Sequence, residues 1–367
     1  MYLIILKTTI IMQEIRGVWI PNLPHSRVLE SPKNIAQSLD FLAESGFNVI
    51  FPVMWNQGYT LYPSQRMQQE GYPTIFPYFA KKNFDPLEIL INEAHQRNIA
   101  VIPWFEYGFA ASPIVDGGHL IEKNPHWLAL DQSGNKVIHG GLTWMNSLHP
   151  EVQQFMLDLI LEVVQNYPVD GIQGDDRFPA MPIGGGYDET TLKIYQHEYG
   201  HRAKPPLNVK DQQWMQWRAN QLTVFLRRLY FKVKAINPNL IVSMAPAVYP
   251  FCYHHLLQDS QTWLKIEIVD LLHPQFYREN FQRYEIEVNK INLSLDPSQK
   301  AKISPGIAFR ANGVNLTPND ILKCVALNRK KGLHGQVFFH YEGLLANNQA
   351  NAIALKTQAG YDQIASH

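Results

Sequence analysis

The sequence predicts an α/β protein that folds as a single (β/α)₈ TIM barrel with long loops after its strands. From Glu14 onward, short apolar runs rich in β-branched and aromatic residues alternate with segments of helical periodicity. This alternation is typical of repeated βα units around a parallel sheet. Eight apolar runs can be counted in the 367 residues. A barrel of this kind commonly exceeds about 250 residues as one domain.

The eight predicted strands are short and lie between segments with helical or turn signals. Most are rich in Val, Ile, Leu and Phe, as expected of strands buried on both faces. They span residues 15–20, 47–54, 99–105, 171–174, 240–245, 268–275, 302–308 and 335–340.

The helices between these strands are predicted from apolar spacing and from their start signals. Ser31 before Pro32, and Asp85 before Pro86, combine an N-cap residue with a proline in the first turn. The first of these helices ends at Gly46. The clearest amphipathic helix covers residues 212–236, and others are predicted at 150–165, 281–293 and 318–332.

Three long segments, residues 55–84, 106–149 and 177–211, each follow a predicted strand. A barrel places the loops after its strands on one rim, which is the catalytic face. The segments are dense in Trp, Tyr, Phe, Gly and Pro, and aromatic faces stack on pyranose rings. Their composition therefore favours a sugar-binding cleft on that rim.

Residues 1–12, MYLIILKTTIIM, are interpreted as an extension before a barrel that occupies residues 13–367. Under this interpretation the run is either a true extension or a misassigned start, with Met12 as the initiator. The alternatives are a degraded secretion signal and a fragment of the first strand. The run is too short to span a bilayer, and Lys7 interrupts it. It also lacks the leading charge and cleavage site of a signal peptide, so we expect a cytoplasmic protein, with a periplasmic or secreted protein as the alternative.

The composition argues against several classes of partner. Thirty-two basic side chains balance 32 acidic ones, so the net charge favours neither a nucleic acid nor a charged membrane. The two cysteines, Cys252 and Cys324, are far apart and show no metal-binding spacing. A neutral substrate is expected, and the sequence leaves the oligomeric state open.

An acidic pair, Asp175 and Asp176, directly follows the fourth predicted strand. Side chains at strand ends converge on the centre of a barrel rim, so this pair is the expected catalytic centre. Successive residues point to opposite sides, so only one of the two can face the axis, and Asp176 is favoured. Glycosidic bond cleavage needs a second carboxyl group, for which Glu106 and Glu342, after other strands, are the candidates.

These acids also have a structural interpretation. An Asp-Asp-Arg cluster after a strand can be an ion-paired loop or a helix cap. Glu106 and Glu342 can each simply orient an arginine through a buried salt bridge.

Side chains near the strand ends and in the long loops are candidates for binding sugar rings and hydroxyl groups. Taken singly, each aromatic residue is equally well explained by core or loop packing. The candidates are Trp55, Tyr59, Trp104, Trp144, Arg177, Tyr249, Gln275, Tyr277, Arg310 and Tyr341.

No metal or organic cofactor is predicted. His254 and His255 are adjacent and lack the spacing of a metal-binding motif. The run Gly184-Gly185-Gly186 lacks the lysine and the strand-to-helix context of a phosphate loop. The sequence also has no Gly-x-Ser-x-Gly motif for serine hydrolase chemistry.

Three stretches resemble the family-10-like glycosyl hydrolases, a family formerly known as a domain of unknown function. They read IRGVWIPN at 15–22, VDGIQGDDRF at 169–178 and GQVFFHYEGL at 335–344. The resemblance covers nearly the whole chain after Met12, and the strand-four pattern D-G-(I/V)-x-x-D-D is its most specific motif. It implies a glycosidase-like barrel in which Asp175 and Asp176 are the family's acidic pair. Asp170 corresponds to the leading aspartate, and because it precedes the strand we interpret it as a structural anchor.

The favoured function is hydrolysis of O-glycosidic bonds in an oligo- or polysaccharide by two carboxyl groups. One alternative is a barrel that binds glycans without catalysis. Another is a metal-dependent hydrolase or deacetylase that uses Asp175 or Asp176 together with His273 or His340. The separation of the carboxyl groups and metal analysis distinguish these functions.

Overall fold

The computed structural model of the chain describes residues 14–113, 116–311 and 313–361. The predicted extension at residues 1–12 lies outside the described residues. Parallel strands alternate with helices through the described chain, so the predicted α/β class is confirmed. In chain order the strands are β1 (Ile15–Ile20), β2 (Val49–Pro52), β3 (Trp55–Asn56), β4 (Tyr59–Thr60), β5 (Ala100–Val101), β6 (Ala110–Ser112), β7 (Ile138–His139), β8 (Leu142–Trp144), β9 (Gly171–Asp175), β10 (Ile241–Ala245), β11 (Leu271–Leu272), β12 (Gly306–Ala308), β13 (Arg310–Ala311), β14 (Val314–Asn315) and β15 (Gly335–Phe339).

Eight of these strands pair in parallel and form two sheets. One sheet has the order β12-β15-β1-β2-β5, and the other has the order β11-β10-β9. Isolated parallel bridges connect the edges of the two sheets. Trp104 pairs with Gln173 of β9 at one edge, and Gln275 pairs with Gly306 of β12 at the other.

Three parallel strands are shorter than the sequence predicts, because proline interrupts them. Pro103, Pro274 and Pro305 lie within the predicted third, sixth and seventh strands and have no N–H group to donate to a neighbour. Their carbonyl groups still accept hydrogen bonds from the backbone N–H groups of Gln173, Gly306 and Val337. The chain therefore keeps its path beside the next strand while losing part of the ladder.

Two helices, those that start at Pro32 and Pro86, begin as the sequence predicts, at a capping residue followed by proline. Ser31 Oγ accepts a hydrogen bond from Asn34 N, and Asp85 caps its helix in the same way. The helices are α1 (Pro32–Glu44), α2 (Gln65–Gln69), α3 (Pro77–Lys82), α4 (Pro86–Gln96), α5 (Gly118–Lys123), α6 (Pro150–Asn166), α7 (Glu189–Tyr199), α8 (Gln212–Ile236), α9 (Phe251–Leu256), α10 (Ser260–Lys265), α11 (Phe281–Ser294), α12 (Pro297–Lys300), α13 (Pro318–Lys330) and α14 (Tyr341–Thr357). Non-helical dihedral angles interrupt α14 at residues 346–349. No helix in residues 14–113, 116–311 and 313–361 is long and apolar enough to span a membrane.

The long loops contain secondary structure that the sequence analysis did not predict. Strands β3 and β4 form a hairpin, β6, β8 and β7 form an antiparallel sheet, and α7 lies within the segment 177–211. That segment packs on the first half of α8 and encloses a second, smaller apolar core. We call this cluster the loop core; it consists of Leu148, Met181, Trp214, Met215, Trp217, Ala219, Leu222 and Leu257.

Polar side chains pair with one another beneath the strand ends. Trp19 Nε1 donates a hydrogen bond to Gln173 Oε1 (2.6 Å), and Gln173 Nε2 donates to Ser243 Oγ (2.9 Å). All three residues are buried, and a buried polar group is costly unless it is paired. These contacts fix β1, β9 and β10 relative to one another directly below the candidate site.

Candidate active site

Polar side chains follow the first four parallel strands at their carboxyl ends. Asn22 follows β1, Asn56 follows β2, Glu106 follows the bridge at Trp104, and residues 175–177 end β9. The amide of Asn22 donates from Nδ2 to Asn56 Oδ1 (3.3 Å), and Asn56 Nδ2 donates to Glu106 Oε2 (2.5 Å). A row of polar contacts therefore crosses the rim in the order of the strands.

The guanidinium group of Arg177 lies among three carboxyl groups. Its Nη2 atom is 2.8 Å from Asp175 Oδ2, 3.6 Å from Glu106 Oε1 and 3.7 Å from Asp176 Oδ1. Burial acts to lower the pKa of Arg177, but the three carboxylates outweigh it and raise that pKa above its ordinary value. Arg177 is therefore a permanent cation. We call it and the three acids the Arg177 cluster.

Asp175 is the buried member of the Arg177 cluster, with its side chain 1% exposed. Its Oδ2 accepts a hydrogen bond from Trp104 Nε1 (3.2 Å), and its Oδ1 accepts one from the Arg177 backbone N–H (2.9 Å). Burial raises the pKa of Asp175 well above its usual range; Arg177 opposes this rise and Asp176 adds to it. Asp175 thus holds Arg177 from below and is shielded from the opening.

The other two acids are partly exposed: the side chains of Glu106 and Asp176 are 20% and 30% exposed, and we call the exposed region above them the opening. Asp176 differs from Asp175 in exposure because successive residues at a strand end point to opposite sides. Burial raises the pKa of Glu106, whereas Arg177 and the hydrogen bond from Asn56 oppose that rise. The opening therefore contains two carboxyl groups in different surroundings.

The turn after Glu106 is fixed against the turn after Asp176. Arg177 Nε donates to the backbone carbonyl of Glu106 (2.7 Å), and the Phe109 N–H donates to the carbonyl of Arg177 (3.0 Å). Gly108 lies between them with a φ of +48°, and a Cβ atom there would stand 2.3 Å from the Arg177 carbonyl oxygen. Only glycine permits this approach.

Residues from two further loops surround the opening. The ring of Tyr277 packs on Phe339 with 5.2 Å between centroids. Burial raises the pKa of Tyr277 well above its usual value, and the charges of Asp176 and Asp175 raise it further. Burial lowers the pKa of His139, with His255 acting in the same direction and Asp176 against it.

The structure does not bring Glu342 into the Arg177 cluster. Its Oε2 is 2.7 Å from Nδ1 of His340, and its side chain lines a separate cleft beside α1. Tyr341, a predicted binding residue, is buried beside the same helix and packs edge-on against Phe41. Of the two candidates for a second carboxyl group, only Glu106 shares an arginine with Asp176.

Three predicted sugar-binding aromatic residues, Trp55, Trp104 and Trp144, are buried. Their indole N–H groups donate to the Gly108 carbonyl, to Asp175 and to the His139 carbonyl, respectively. These tryptophans support the loops of the site from beneath and present no open face to a sugar ring.

The remaining predicted binding residues are spread over the molecule. Arg177 and Tyr277 belong to the opening, whereas Gln275 directs its Nε2 to the Ala245 carbonyl (2.9 Å). The other three lie elsewhere: Tyr59 packs on Phe76 and His119, Tyr249 lines an apolar groove that includes residues of α10 and α11, and Arg310 is exposed in β13.

Three residues of the site, Asn22, Asn56 and Gln258, were not predicted as functional. Asn22 and Asn56 stand at strand ends, and that position was the available signal. Gln258 is buried, and its Nε2 donates to the backbone carbonyl of Asp175 (2.8 Å). Gln258 is 83 residues distant in sequence and follows a short helix, so no local pattern indicates the contact.

Within the described part of the chain, one group has the geometry to hold a metal ion. Its ligand atoms belong to His126, His149 and Glu151, lie within 4.8 Å of one another, and include none of the Arg177 cluster. The histidines of the metal-dependent alternative are also elsewhere. His273 is buried against Trp19 and Phe51 with its pKa lowered to about 4 by burial, and His340 contacts Glu342.

Residues 14–311 match the family model described as glycosyl hydrolase-like 10. The chain is 24% identical over 340 residues to glycosyl hydrolase DigH of Escherichia coli K12, covering 81% of this chain and 73% of DigH. It is also 24% identical over 295 residues to glycosyl hydrolase YngK of Bacillus subtilis, covering 72% of this chain and 54% of YngK.

Two solved structures share the fold. The glycoside hydrolase domain of PgaB (BpsB) from Bordetella bronchiseptica superposes with a TM-score of 0.68 at 14% identity, covering 93% of this chain and 98% of that domain. α-L-Fucosidase isoenzyme 2 from Paenibacillus thiaminolyticus superposes with a TM-score of 0.68 at 16% identity, covering 97% of this chain and 50% of the fucosidase. At these identities the likeness concerns the fold alone.

Proposed function

Because the chain belongs to the glycosyl hydrolase-like 10 family, we propose that it hydrolyses O-glycosidic bonds of an oligo- or polysaccharide with Glu106 and Asp176. The family and the glycosidases among the relatives support a glycosidase-type function. The reaction needs two carboxyl groups on either side of the scissile bond and no metal or organic cofactor.

One observation carries this proposal: both acids stand beside a single nitrogen atom. Glu106 Oε1 and Asp176 Oδ1 are 3.6 and 3.7 Å from Arg177 Nη2. The two oxygen atoms are therefore at most roughly 7.3 Å apart, which is below the upper limit of about 9.5 Å for the carboxyl separation in glycosidases. Glu342 has no such contact with the cluster.

Glu106 is the proposed proton donor. Burial raises the pKa of Glu106, so at a given pH a larger fraction of this carboxyl group is protonated than of an ordinary glutamate. The proton passes to the glycosidic oxygen as the bond to the anomeric carbon breaks. Asp176, the more exposed acid, is the proposed carboxylate that attacks the anomeric carbon or activates a water molecule.

The scaffold of the proposed site is a closed (β/α)₈ barrel. The bridges at Trp104 and Gln275 support closure, because they connect the two parallel sheets at both edges. In a closed barrel the carboxyl ends of all eight strands meet at one rim. That arrangement accounts for the convergence of residues from β1, β2 and β9 on Glu106.

The proposal is tested by screening the purified protein against a glycan library for newly formed reducing ends. Asp176→Asn and Glu106→Gln serve as variants of nearly unchanged shape. We expect turnover by the wild type, and a loss of at least about 10³-fold in either variant without loss of glycan binding. Binding without turnover by the wild type would indicate a glycan-binding barrel. Chelator-sensitive release of acetate would indicate a deacetylase.

A further inference from the structure

We propose that Asn56, oriented by Asn22, determines which oxygen of Glu106 carries the proton during the reaction. Asn56 is then a positioning residue that acts through Glu106. The inference rests on the proposed role of Glu106 as proton donor and assigns a function to two amides at neighbouring strand ends.

The orientation of both amides follows from one backbone group. The N–H of Leu23 donates to Asn22 Oδ1 (2.8 Å), so Asn22 turns its Nδ2 toward Asn56 and donates to Asn56 Oδ1 (3.3 Å). An amide has one acceptor oxygen and one donor nitrogen, so Asn56 must then present Nδ2 to Glu106. A backbone N–H cannot reverse its role, and this fixes the direction of the whole chain of hydrogen bonds.

This direction distinguishes the two oxygen atoms of Glu106. Oε2 uses one of its lone pairs to accept the hydrogen bond from Asn56, whereas Oε1 accepts no hydrogen bond from the described residues and has both lone pairs open to a proton. The proton is therefore placed on Oε1. That oxygen lies beside Arg177 Nη2, the same atom that stands next to Asp176. The acidic proton is held on the side of the opening where the second carboxyl group lies.

The two amides are buried, and burial gives the arrangement its rigidity. Asn22 is 3% exposed and Asn56 is 6% exposed, so water cannot readily replace their partners. Other charged or titratable groups also act on Glu106, and they are unchanged when an asparagine is replaced. These groups are Arg177, Asp176, Asp175, His25, Tyr107 and Tyr277.

The experiment compares Asn56→Ala and Asn22→Ala with Asn220→Ala, an exposed asparagine on α8 that serves as the control. The titration of Glu106 is followed by carbon-13 NMR of labelled glutamate carboxyl groups, with Glu106→Gln for assignment. The hydrogen bond from Asn56 stabilises the carboxylate, so its loss should move the titration of Glu106 to higher pH. We expect a smaller movement in Asn22→Ala and none in Asn220→Ala.

Kinetics on the glycan found by screening supply a second readout. We expect kcat to fall roughly tenfold in Asn56→Ala while KM stays within about twofold, because only proton delivery is disturbed. An unchanged titration of Glu106 in both asparagine variants would overturn the inference. If Asn56→Ala does not fold, Asn22→Ala alone decides, since it frees the Asn56 amide to turn around.

The NMR titration needs no substrate, so the inference about Asn56 can be refuted without refuting the proposed function, and the proposed function can be refuted without refuting the inference. Full activity in Glu106→Gln would refute the proton-donor role while leaving the control of Glu106 by Asn56 measurable. A shifted titration with unchanged kcat would instead overturn the positioning role of Asn56.

Discussion

Arg177 and Arg218 are both largely removed from water, yet they have opposite kinds of partner. Arg177 stands among the carboxyl groups of Asp175, Asp176 and Glu106. Arg218 has no carboxylate partner among the described residues and donates instead to the backbone carbonyls of Ile183, Gly185 and Val209. Its guanidinium also lies 4.6 Å from the ring centroid of Trp214 in the loop core.

The difference separates the proposed active site from a structural contact. Burial lowers the pKa of Arg218 to about 10, because its partners are neutral dipoles. The acids around Arg177 raise the pKa of that arginine, and in return Arg177 opposes the rise in the pKa of Glu106 and Asp175. Carbonyl groups can only anchor a loop, whereas carboxyl groups around a cation can hold or release protons.

The largest effect is expected from Arg177→Met. Without the cation, the three acids repel one another and lose their common anchor, so the proposed proton donor and the proposed carboxylate are no longer correctly placed. We expect kcat to fall at least about 10³-fold, measured on the glycan found by screening. A kcat within tenfold of the wild type would show that Arg177 does not organise the site.

Arg218→Met is expected to act on stability more than on rate. The variant removes the donor to the carbonyl groups of Ile183, Gly185 and Val209, and the free energy of unfolding should fall by about 3 kcal/mol. Denaturant unfolding measures this, with Arg227→Met at an exposed position of α8 as the matched control expected to change it by less than about 0.5 kcal/mol. Equal losses in the two variants would remove the structural role of Arg218.

The pH dependence of stability sharpens the same contrast. The pKa of Asp175 is raised in the folded state, so the stability that it contributes is complete below its unfolded pKa of about 4. This contribution is lost as the pH rises through the folded pKa. We therefore expect the unfolding free energy of Asp175→Asn to decline less steeply above pH 4 than that of the wild type.

Arg218 provides the internal comparison for that pH measurement. Its pKa is lowered to about 10, so Arg218 stays charged at both pH 5 and pH 8. The loss of unfolding free energy in Arg218→Met, relative to the wild type, should therefore be the same at both pH values. Parallel stability curves for Asp175→Asn and the wild type would contradict the raised pKa of Asp175.

The smallest effect is expected from Asp170→Asn, at the other end of the strand that carries the cluster. Asp170 Oδ2 accepts a hydrogen bond from the Val101 backbone N–H (2.7 Å) and also lies 2.9 Å from His95 Nε2. This placement agrees with the anchoring role predicted for it. We expect a loss of about 1 kcal/mol in stability with kcat unchanged within twofold. A large loss of kcat would place Asp170 in the chemistry.

The sequence was informative where the candidate site depends on strand order and uninformative where the site depends on distant loops. Strand alternation predicts that Asp176 and not Asp175 faces the opening, and strand ends bring Asn56 and Glu106 to the same rim. By contrast, Glu106 and Glu342 are equivalent as strand-end acids. Only the packing of α14 beside α1 shows that Glu342 lies in another cleft.

The aromatic residues show the same limit. A tryptophan in a loop has the same sequence pattern whether it stacks on a ligand or supports the loop from below. Trp104 and Trp144 support their loops, because their indole groups are buried and donate to Asp175 and to the His139 carbonyl, respectively. The partners of Arg218 come from residues 183, 185 and 209, and no local spacing predicts such a set.

The comparison of Glu106→Gln with Glu342→Gln tests the central claim most directly. Both substitutions remove one carboxyl group that follows a parallel strand, and both keep the shape of the side chain. The account predicts that Glu106→Gln lowers kcat at least about 10³-fold, while Glu342→Gln keeps it within a few fold, with similar thermal midpoints for both. Full activity in Glu106→Gln together with an inactive Glu342→Gln would contradict it.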